Sequence, residues 1–133
     1  MRTVLQRVKS ATVSVDKKTI GSIKDGILVL LAIHRDDEDE MLVKMLDKII
    51  NLRIFNDDDF KMNKSLLDIS GELLVVSQFT LYGDTSRGRR PGFSESANPE
   101  KANDYYLKFI DMAKAKGLKV EKGSFGAMMS VKL

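Results

Sequence analysis

Apolar and polar residues alternate along the first part of the chain, with the period of two that half-buried β-strands show. Residues 3–9 and 11–15 follow this pattern, and a third short strand is predicted at residues 19–23. A tight turn at Asp25-Gly26 then leads into an unbroken apolar run at residues 27–33, which is typical of a central strand. The pattern predicts an antiparallel meander of four strands.

Two later segments have the period of an amphipathic helix. The first follows an acidic run at residues 36–40, where Asp37 and Glu40 have the spacing of a capping box. Carboxylates at a helix start complement the helix dipole, so we interpret this run as a helix start rather than a cation site. The second helix is predicted to begin at Asn98-Pro99 and to end at Gly117, and its tyrosines have the spacing of core residues rather than of base-stacking residues.

The stretch from Glu72 to Gly83, ELLVVSQFTLYG, joins a buried strand to a polar end without a turn signal between them. Its apolar part is typical of a strand buried on both faces, and Ser77, Gln78 and Thr80 then add two hydroxyls and an amide. A buried polar group without a partner costs about 1–3 kcal/mol. We therefore expect either a dense hydrogen-bond network or a ligand at this strand end.

A basic, glycine-rich loop follows at residues 84–93 and carries Arg87, Arg89 and Arg90. Arginines in such a loop suit phosphate or carboxylate groups, which indicates an anionic substrate. Residues 118–121 and 125–133 are predicted to be the last two strands. The order ββββ-α-β-α-ββ predicts a single α+β domain over residues 1–133, with a mostly antiparallel, barrel-like sheet covered by two helices.

The composition excludes several classes of protein. The chain has 133 residues, 43% of them hydrophobic and 31% charged, with no cysteine and one histidine, so a disulfide framework is excluded and a zinc site is not expected. No apolar run approaches the roughly 20 residues that span a bilayer, and no signal peptide opens the chain. We predict a cytoplasmic protein without a membrane partner. The net charge of +3 is compatible with nucleic-acid binding.

The polar strand end offers hydroxyl groups but no evident base to activate them. Ser77 or Thr80 as a nucleophile would need an adjacent base, and the only imidazole, His34, is interpreted as a capping or surface residue. The stretch can instead supply backbone N–H groups and the Gln78 amide as an oxyanion hole, worth roughly 10²–10³ in rate per donor. The base would then come from the substrate.

The segment SQFTL at residues 77–81 resembles the SQxTL signature of the D-aminoacyl-tRNA deacylases. Further blocks similar to that family follow in the same order: Gln6-Arg7-Val8, the NLRIF segment at residues 51–55, Gly88-Arg-Arg-Pro91 with Phe93, and the FGAMM segment at residues 125–129. These five blocks are distributed over nearly the whole chain, so the chain is identified as a member of the family.

The resemblance implies a homodimer that hydrolyses the ester between a D-amino acid and tRNA, with no metal or other cofactor. It assigns Ser77, Gln78, Phe79 and Thr80 to the reacting centre, where the N–H groups of Phe79 and Thr80 and the Thr80 side chain meet the carbonyl. The 2′-hydroxyl of the terminal adenosine would help to activate water, and the alternative is that Thr80 acts as the nucleophile. The further implied contacts are the adenine with Phe125, Gly126, Ala127 and Met129, the subunit junction with Arg7, and the tRNA backbone with Arg87, Arg89 and Arg90.

One feature of the family is absent from these 133 residues. Family members carry a Gly-Pro dipeptide with a cis bond shortly after the strand that begins at Phe125, and the partner subunit inserts it into the active site to exclude L-amino acids. The prolines of this chain, Pro91 and Pro99, do not follow a glycine. Because the last strand stops at Leu133 without a protecting feature, we expect the natural chain to continue into such a segment.

Two other functions stay open from the residues. One is a tRNA-binding or other nucleic-acid-binding dimer of the same fold that does not catalyse hydrolysis. The other is a serine or threonine hydrolase of small esters, which would need a base that the sequence does not contain.

Overall fold

The computed structural model describes all 133 residues, which form nine strands, two α-helices and a short 3₁₀ helix. The strands are β1 (Arg2–Val8), β2 (Ala11–Val15), β3 (Lys18–Ile23), β4 (Gly26–Ala32), β5 (Phe55–Asn56), β6 (Met62–Lys64), β7 (Glu72–Ser77), β8 (Val120–Lys122) and β9 (Met129–Lys132). The helices are α1 (Asp39–Asn51) and α2 (Pro99–Ala115), and the 3₁₀ helix is Phe79–Tyr82. Neither α-helix has the length and apolar character needed to cross a membrane.

The strands form a large sheet in the order β1-β4-β7-β8, a smaller sheet in the order β3-β2-β9, and the hairpin β5-β6. This arrangement confirms the predicted α+β class. Four of the six strand pairs are antiparallel, and the two parallel pairs are those that β7 makes with β4 and with β8.

The predicted four-stranded meander is wrong. β1 pairs with β4 instead of β2, and the β2-β3 hairpin belongs to the smaller sheet. The reason lies in β4 and β7, which are buried almost throughout and need cover on both faces. Pairing these two strands in the middle of one sheet, between the helices and the smaller sheet, buries both of them.

The core has two layers, divided by the large sheet. A cluster of 18 buried residues fills the space between this sheet and the helices, and a cluster of seven lies between the two sheets. β7 contributes to both, because Leu73 and Val75 face the helices while Leu74 and Val76 face the smaller sheet. β7 is therefore fixed from both sides, which makes its end a rigid place for a site.

The start of α1 differs from the predicted capping box. The N-cap is Glu38, and its side chain makes no capping hydrogen bond. Asp37 is buried and accepts from the Met1 amino group and from the His34 N–H, each at 2.7 Å. A buried carboxylate needs such charged and N–H partners, so Asp37 is not free to cap the helix. The predicted start of α2 is confirmed, since the Asn98 side chain accepts from the N–H of Lys101.

The last predicted strand was too long, and a short helix was not predicted. β7 ends at Ser77, as its apolar part predicts, and the chain then enters the 3₁₀ helix. β9 begins at Met129, because the N–H of Ala127 donates to the carbonyl of Ser124 and closes a turn before it. Gly126 has a φ of +77° in this turn, a conformation that glycine adopts without strain.

Gly26 allows the close approach of β4 and β7, and we expect Gly26→Ala to destabilise the fold. A Cβ atom at this position would lie 1.9 Å from the carbonyl oxygen of Glu72, a backbone atom that can move only if the parallel pair separates. We expect a loss of at least about 1–3 kcal/mol in the free energy of unfolding, measured by urea denaturation. The matched control is Gly92→Ala, where the nearest atom would be 3.9 Å away. Equal stability of both variants would contradict this packing argument.

Candidate active site

The end of β7 leaves two backbone donors without partners. The pairing of β4 with β7 ends at Leu31 and Ser77, and the N–H of Gln78 then donates to the Leu31 carbonyl at 2.8 Å. The next residues begin the 3₁₀ helix, whose first N–H groups have no partner within the helix. Neither Phe79 nor Thr80 donates its backbone N–H to any group of the protein. Two adjacent free donors thus follow directly after a rigid strand.

Contacts from two other parts of the chain hold the 3₁₀ helix. The guanidinium of Arg2 donates to the Leu81 carbonyl at 2.7 Å and lies 4.6 Å from the centre of the Tyr82 ring. The Ser96 hydroxyl donates to the Phe79 carbonyl at 3.1 Å. Because both ends of this short helix are bound, the direction of its free N–H groups is fixed before any ligand arrives.

Two of the polar side chains around these donors are engaged with each other. The Gln78 amide donates to the Thr80 hydroxyl, whereas the Ser77 hydroxyl makes no side-chain hydrogen bond, so the dense network that was one of the two expectations for this strand end is not formed. His34 packs edge-on against Tyr82 with ring centroids 5.3 Å apart, and its Nδ1 accepts from the N–H of Asp36. This agrees with the interpretation of His34 as a capping residue.

A mostly apolar cavity of about 600 Å³ opens between the end of β7, the start of α2 and the turn before β9. Its volume is in the range of small-molecule sites. The predicted site residues that line it are Ser77, Gln78, Phe79, Phe125, Gly126, Ala127 and Met129. Residues that were not predicted as site residues also line it, among them Phe93, Ser96, Ala97 and Tyr106. Thr80 and Arg7 are not part of the cavity wall.

Arg7 lies against the β5-β6 hairpin. Its guanidinium donates to the Ile54 carbonyl at 2.5 Å and to Oδ1 of Asn56 at 3.3 Å. The side chain is exposed, on an edge strand of the large sheet. Its implied place at a subunit junction stays a prediction.

The basic loop is closed at its base. Two backbone hydrogen bonds between Asp84 and Gly92, 2.9 and 2.8 Å long, join its ends. Hydrogen bonds from the Ser86 backbone and side chain lower the pKa of Asp84, which keeps this carboxylate charged and bound to the loop.

The three arginines of this loop are exposed and make no ion pair or hydrogen bond within the protein. They are Arg87, Arg89 and Arg90. The loop leads directly into Phe93, which lines the cavity and packs edge-on against Phe79 with centroids 5.0 Å apart. Three uncompensated positive charges therefore belong to a loop whose base adjoins the cavity.

Tyr106 connects the core to the cavity wall. Its hydroxyl is 2.8 Å from the Val75 carbonyl and 3.3 Å from the Gly123 carbonyl, and its ring lies 6.1 Å from the Phe125 ring. Burial raises the pKa of the Tyr106 phenol, so the hydroxyl stays protonated and donates to these carbonyls. Helical spacing predicted a core residue here, but it contained no signal for a polar contact with the segment before β9.

Known proteins resemble this chain in sequence. A family model described as D-Tyr-tRNA(Tyr) deacylase matches residues 4–133. The chain belongs to this deacylase family. A D-aminoacyl-tRNA deacylase of Clostridioides difficile is 58% identical, and one of Thermosipho africanus is 57% identical; each alignment covers all of this chain and 89% of the relative.

Two solved structures share the fold of this deacylase-family chain. The c-Myc DNA Unwinding Element Binding Protein matches with a TM-score of 0.93 and 38% identity, over all of this chain and 91% of the other. A probable eukaryotic D-amino acid tRNA deacylase matches with a TM-score of 0.81 and 19% identity, over 98% and 91% of the two chains. The second likeness is evidence of the fold alone.

We expect Tyr106→Phe to loosen the cavity wall of this deacylase-family chain without removing a core ring. The variant loses one buried hydrogen-bond donor, which should lower the free energy of unfolding by about 1 kcal/mol. The Gly123 carbonyl also loses its hydrogen bond to α2, so the cavity wall should hold the substrate less well. The KM for the aminoacyl-tRNA substrate should therefore rise more than kcat falls. Denaturation and steady-state kinetics measure the two effects. A variant with wild-type stability and KM would show that the hydroxyl does not position the wall.

Proposed function

We infer that this chain is a D-aminoacyl-tRNA deacylase, an enzyme that hydrolyses the ester between a D-amino acid and tRNA and so removes wrongly charged tRNA from translation. The observation that carries this proposal is the family match over residues 4–133, together with identities above 50% to relatives of that name over the full chain. The free donors at the end of β7 and the adjoining cavity support it, because acyl transfer needs groups that stabilise an oxyanion.

The proposed chemistry uses few protein groups. The ester carbonyl oxygen accepts from the N–H groups of Phe79 and Thr80, and its developing negative charge strengthens both hydrogen bonds. Water attacks the carbonyl carbon, and collapse of the tetrahedral intermediate expels the ribose oxygen of the terminal adenosine. The neighbouring ribose hydroxyl assists in activating the water, since the single imidazole, that of His34, is already engaged through Nδ1.

The remaining predicted residues bind the substrate in this proposal. The cavity wall formed by Phe125, Gly126, Ala127 and Met129 holds the adenine, for which a mostly apolar cavity is suitable. Arg87, Arg89 and Arg90 attract the tRNA backbone. Their exposure and lack of partners support this role, because unpaired guanidinium groups are free to contact phosphates.

We further propose a homodimer that acts in the cytoplasm, where aminoacyl-tRNA is made and used. The outer edge of β1 supports the dimer, since it is a seven-residue edge strand with the apolar Val4 about half exposed. Such an edge is open to pairing with a second chain. Light scattering on the purified protein tests this directly, and a monomer at micromolar concentration would contradict it.

A second candidate function is nucleic-acid binding without hydrolysis. One structural neighbour, 38% identical, is named for binding a DNA unwinding element. Incubation of the purified chain with D-Tyr-tRNA separates the two candidates, because release of D-tyrosine with turnover supports the deacylase. Tight binding of uncharged tRNA or of DNA with no release of D-tyrosine would favour the second candidate.

The Thr80 hydroxyl is expected to be helpful but not essential. Thr80→Ala keeps the backbone N–H, so kcat should fall by no more than the roughly 10²–10³ that one donor contributes. Thr80→Ser, which keeps the hydroxyl, is the matched control and should stay near the wild-type rate. A fall of Thr80→Ala to the uncatalysed rate would identify Thr80 as a nucleophile. A substrate that ends in 2′-deoxyadenosine should be hydrolysed slowly by every variant.

The three loop arginines are expected to act on binding. Changing Arg87, Arg89 and Arg90 together to Gln should raise KM for aminoacyl-tRNA and reduce the slope of log KM against log salt concentration by about 2–3, since each phosphate contact contributes roughly 0.7–0.9. The control changes three exposed lysines without ion pairs, Lys17, Lys114 and Lys116, to Gln. An equal effect of both triple variants would show that net charge, not the loop, attracts the tRNA.

A further inference from the structure

A second cavity, of about 450 Å³, lies beside the first. Tyr106 and Phe125 belong to the walls of both cavities, so the turn before β9 separates two neighbouring spaces. The other residues that line the second cavity are Ile20, Asn103, Leu107, Lys122, Gly123 and Ser124. The second cavity therefore combines an aromatic and aliphatic wall with three polar side chains.

The three polar side chains of this cavity have no partners. The Asn103 amide, the Lys122 ammonium and the Ser124 hydroxyl come from α2, from β8 and from the segment after β8, and none of them makes a side-chain hydrogen bond or an ion pair. By contrast, Lys108 of α2 is paired, with its ammonium 3.2 Å from the Asp104 carboxylate. An amide, a cation and a hydroxyl are thus available together in one recess.

The charge of Lys122 is not balanced by its acidic neighbour in β8. Lys122 is in register with Val75, which faces the helices, whereas Glu121 is in register with Leu74, which faces the smaller sheet. Successive side chains of a strand point to opposite faces, so Glu121 lies on the other side of the sheet. Its carboxylate cannot neutralise the ammonium within the cavity.

We propose that the second cavity binds the nucleotide that precedes the terminal adenosine of the tRNA. This inference rests on the proposed function, in which the first cavity holds the adenosine. Lys122 contacts the phosphate that joins the two nucleotides, while Asn103 and Ser124 hydrogen-bond to the base and its sugar. Phe125 and Leu107 supply the apolar surface against which a base packs. The turn before β9 then lies between two consecutive nucleotides.

The inference is tested with two short D-tyrosyl esters, one of adenosine and one of the dinucleotide cytidylyl-adenosine. The wild-type chain should have a lower KM for the dinucleotide ester, by about threefold to tenfold, and this advantage should disappear when the linking phosphate is replaced by a neutral methylphosphonate. Equal KM values for the two esters would overturn the inference. Because both esters carry the same reacting group, cleavage of neither ester by the wild-type chain would instead contradict the proposed function.

Substitutions in the second cavity test whether this cavity causes the lower KM for the dinucleotide ester. Lys122→Gln and Asn103→Ala should each raise KM for the dinucleotide ester while leaving kcat, and both constants for the adenosine ester, within about twofold of wild type. Lys116→Gln, which removes an exposed lysine outside the cavity, is the control. An equal rise in KM for both esters, or no rise for either, would overturn the assignment of the second cavity. The methylphosphonate comparison uses the wild-type chain alone, so it stays decisive if a variant fails to fold.

Discussion

The candidate site depends on the parallel pairing of β4 with β7. This pairing continues to Leu31 and Ser77, and the last hydrogen bond of the same kind, from Gln78 to Leu31, fixes the point at which the chain leaves the sheet. The 3₁₀ helix must begin there, and its first N–H groups are left without partners by its own geometry. A change in the register of β7 by one residue would turn its core side chains to the other face, so packing on both sides of the sheet also protects the position of the donors.

The two parts of the site use different physical means. In the proposed mechanism, the reacting carbonyl meets fixed backbone dipoles beside an apolar cavity, where electrostatic interactions are stronger than in water. The basic loop offers exposed charges that act over several ångströms and are weakened by salt. Arg2 belongs to neither part, since its contacts with Leu81 and Tyr82 hold the 3₁₀ helix in place.

The sequence predicted the longer elements well and their pairing poorly, and it did not predict the β5-β6 hairpin or the 3₁₀ helix. Periodicity located β1 to β4, α1, α2 and the apolar part of β7, because burial imposes a local pattern on each of them. It could not show that β1 pairs with β4, since the partner of a strand is decided by contacts far along the chain.

For the candidate site, too, the sequence indicated the segments but not the contacts between them. The resemblance identified the SQFTL and FGAMM segments, and the structure brings the first three residues of SQFTL to one cavity with the FGAMM segment. Two hydrogen bonds of the site could not be predicted in this way, one between Tyr106 and Gly123 and one between Ser96 and Phe79. Each joins residues 17 positions apart, and such a contact leaves no periodic signal in the sequence.

The central claim is that a backbone N–H group after β7 stabilises the transition state, and comparison of Phe79→Pro with Phe79→Ala tests it most directly. Proline removes the Phe79 N–H at the first position of the 3₁₀ helix, where its fixed φ is tolerated, and alanine removes the same ring but keeps the N–H. With both variants folded to the same unfolding midpoint, kcat for D-Tyr-tRNA should be roughly 10²–10³ lower for proline than for alanine. Equal kcat values would contradict the account.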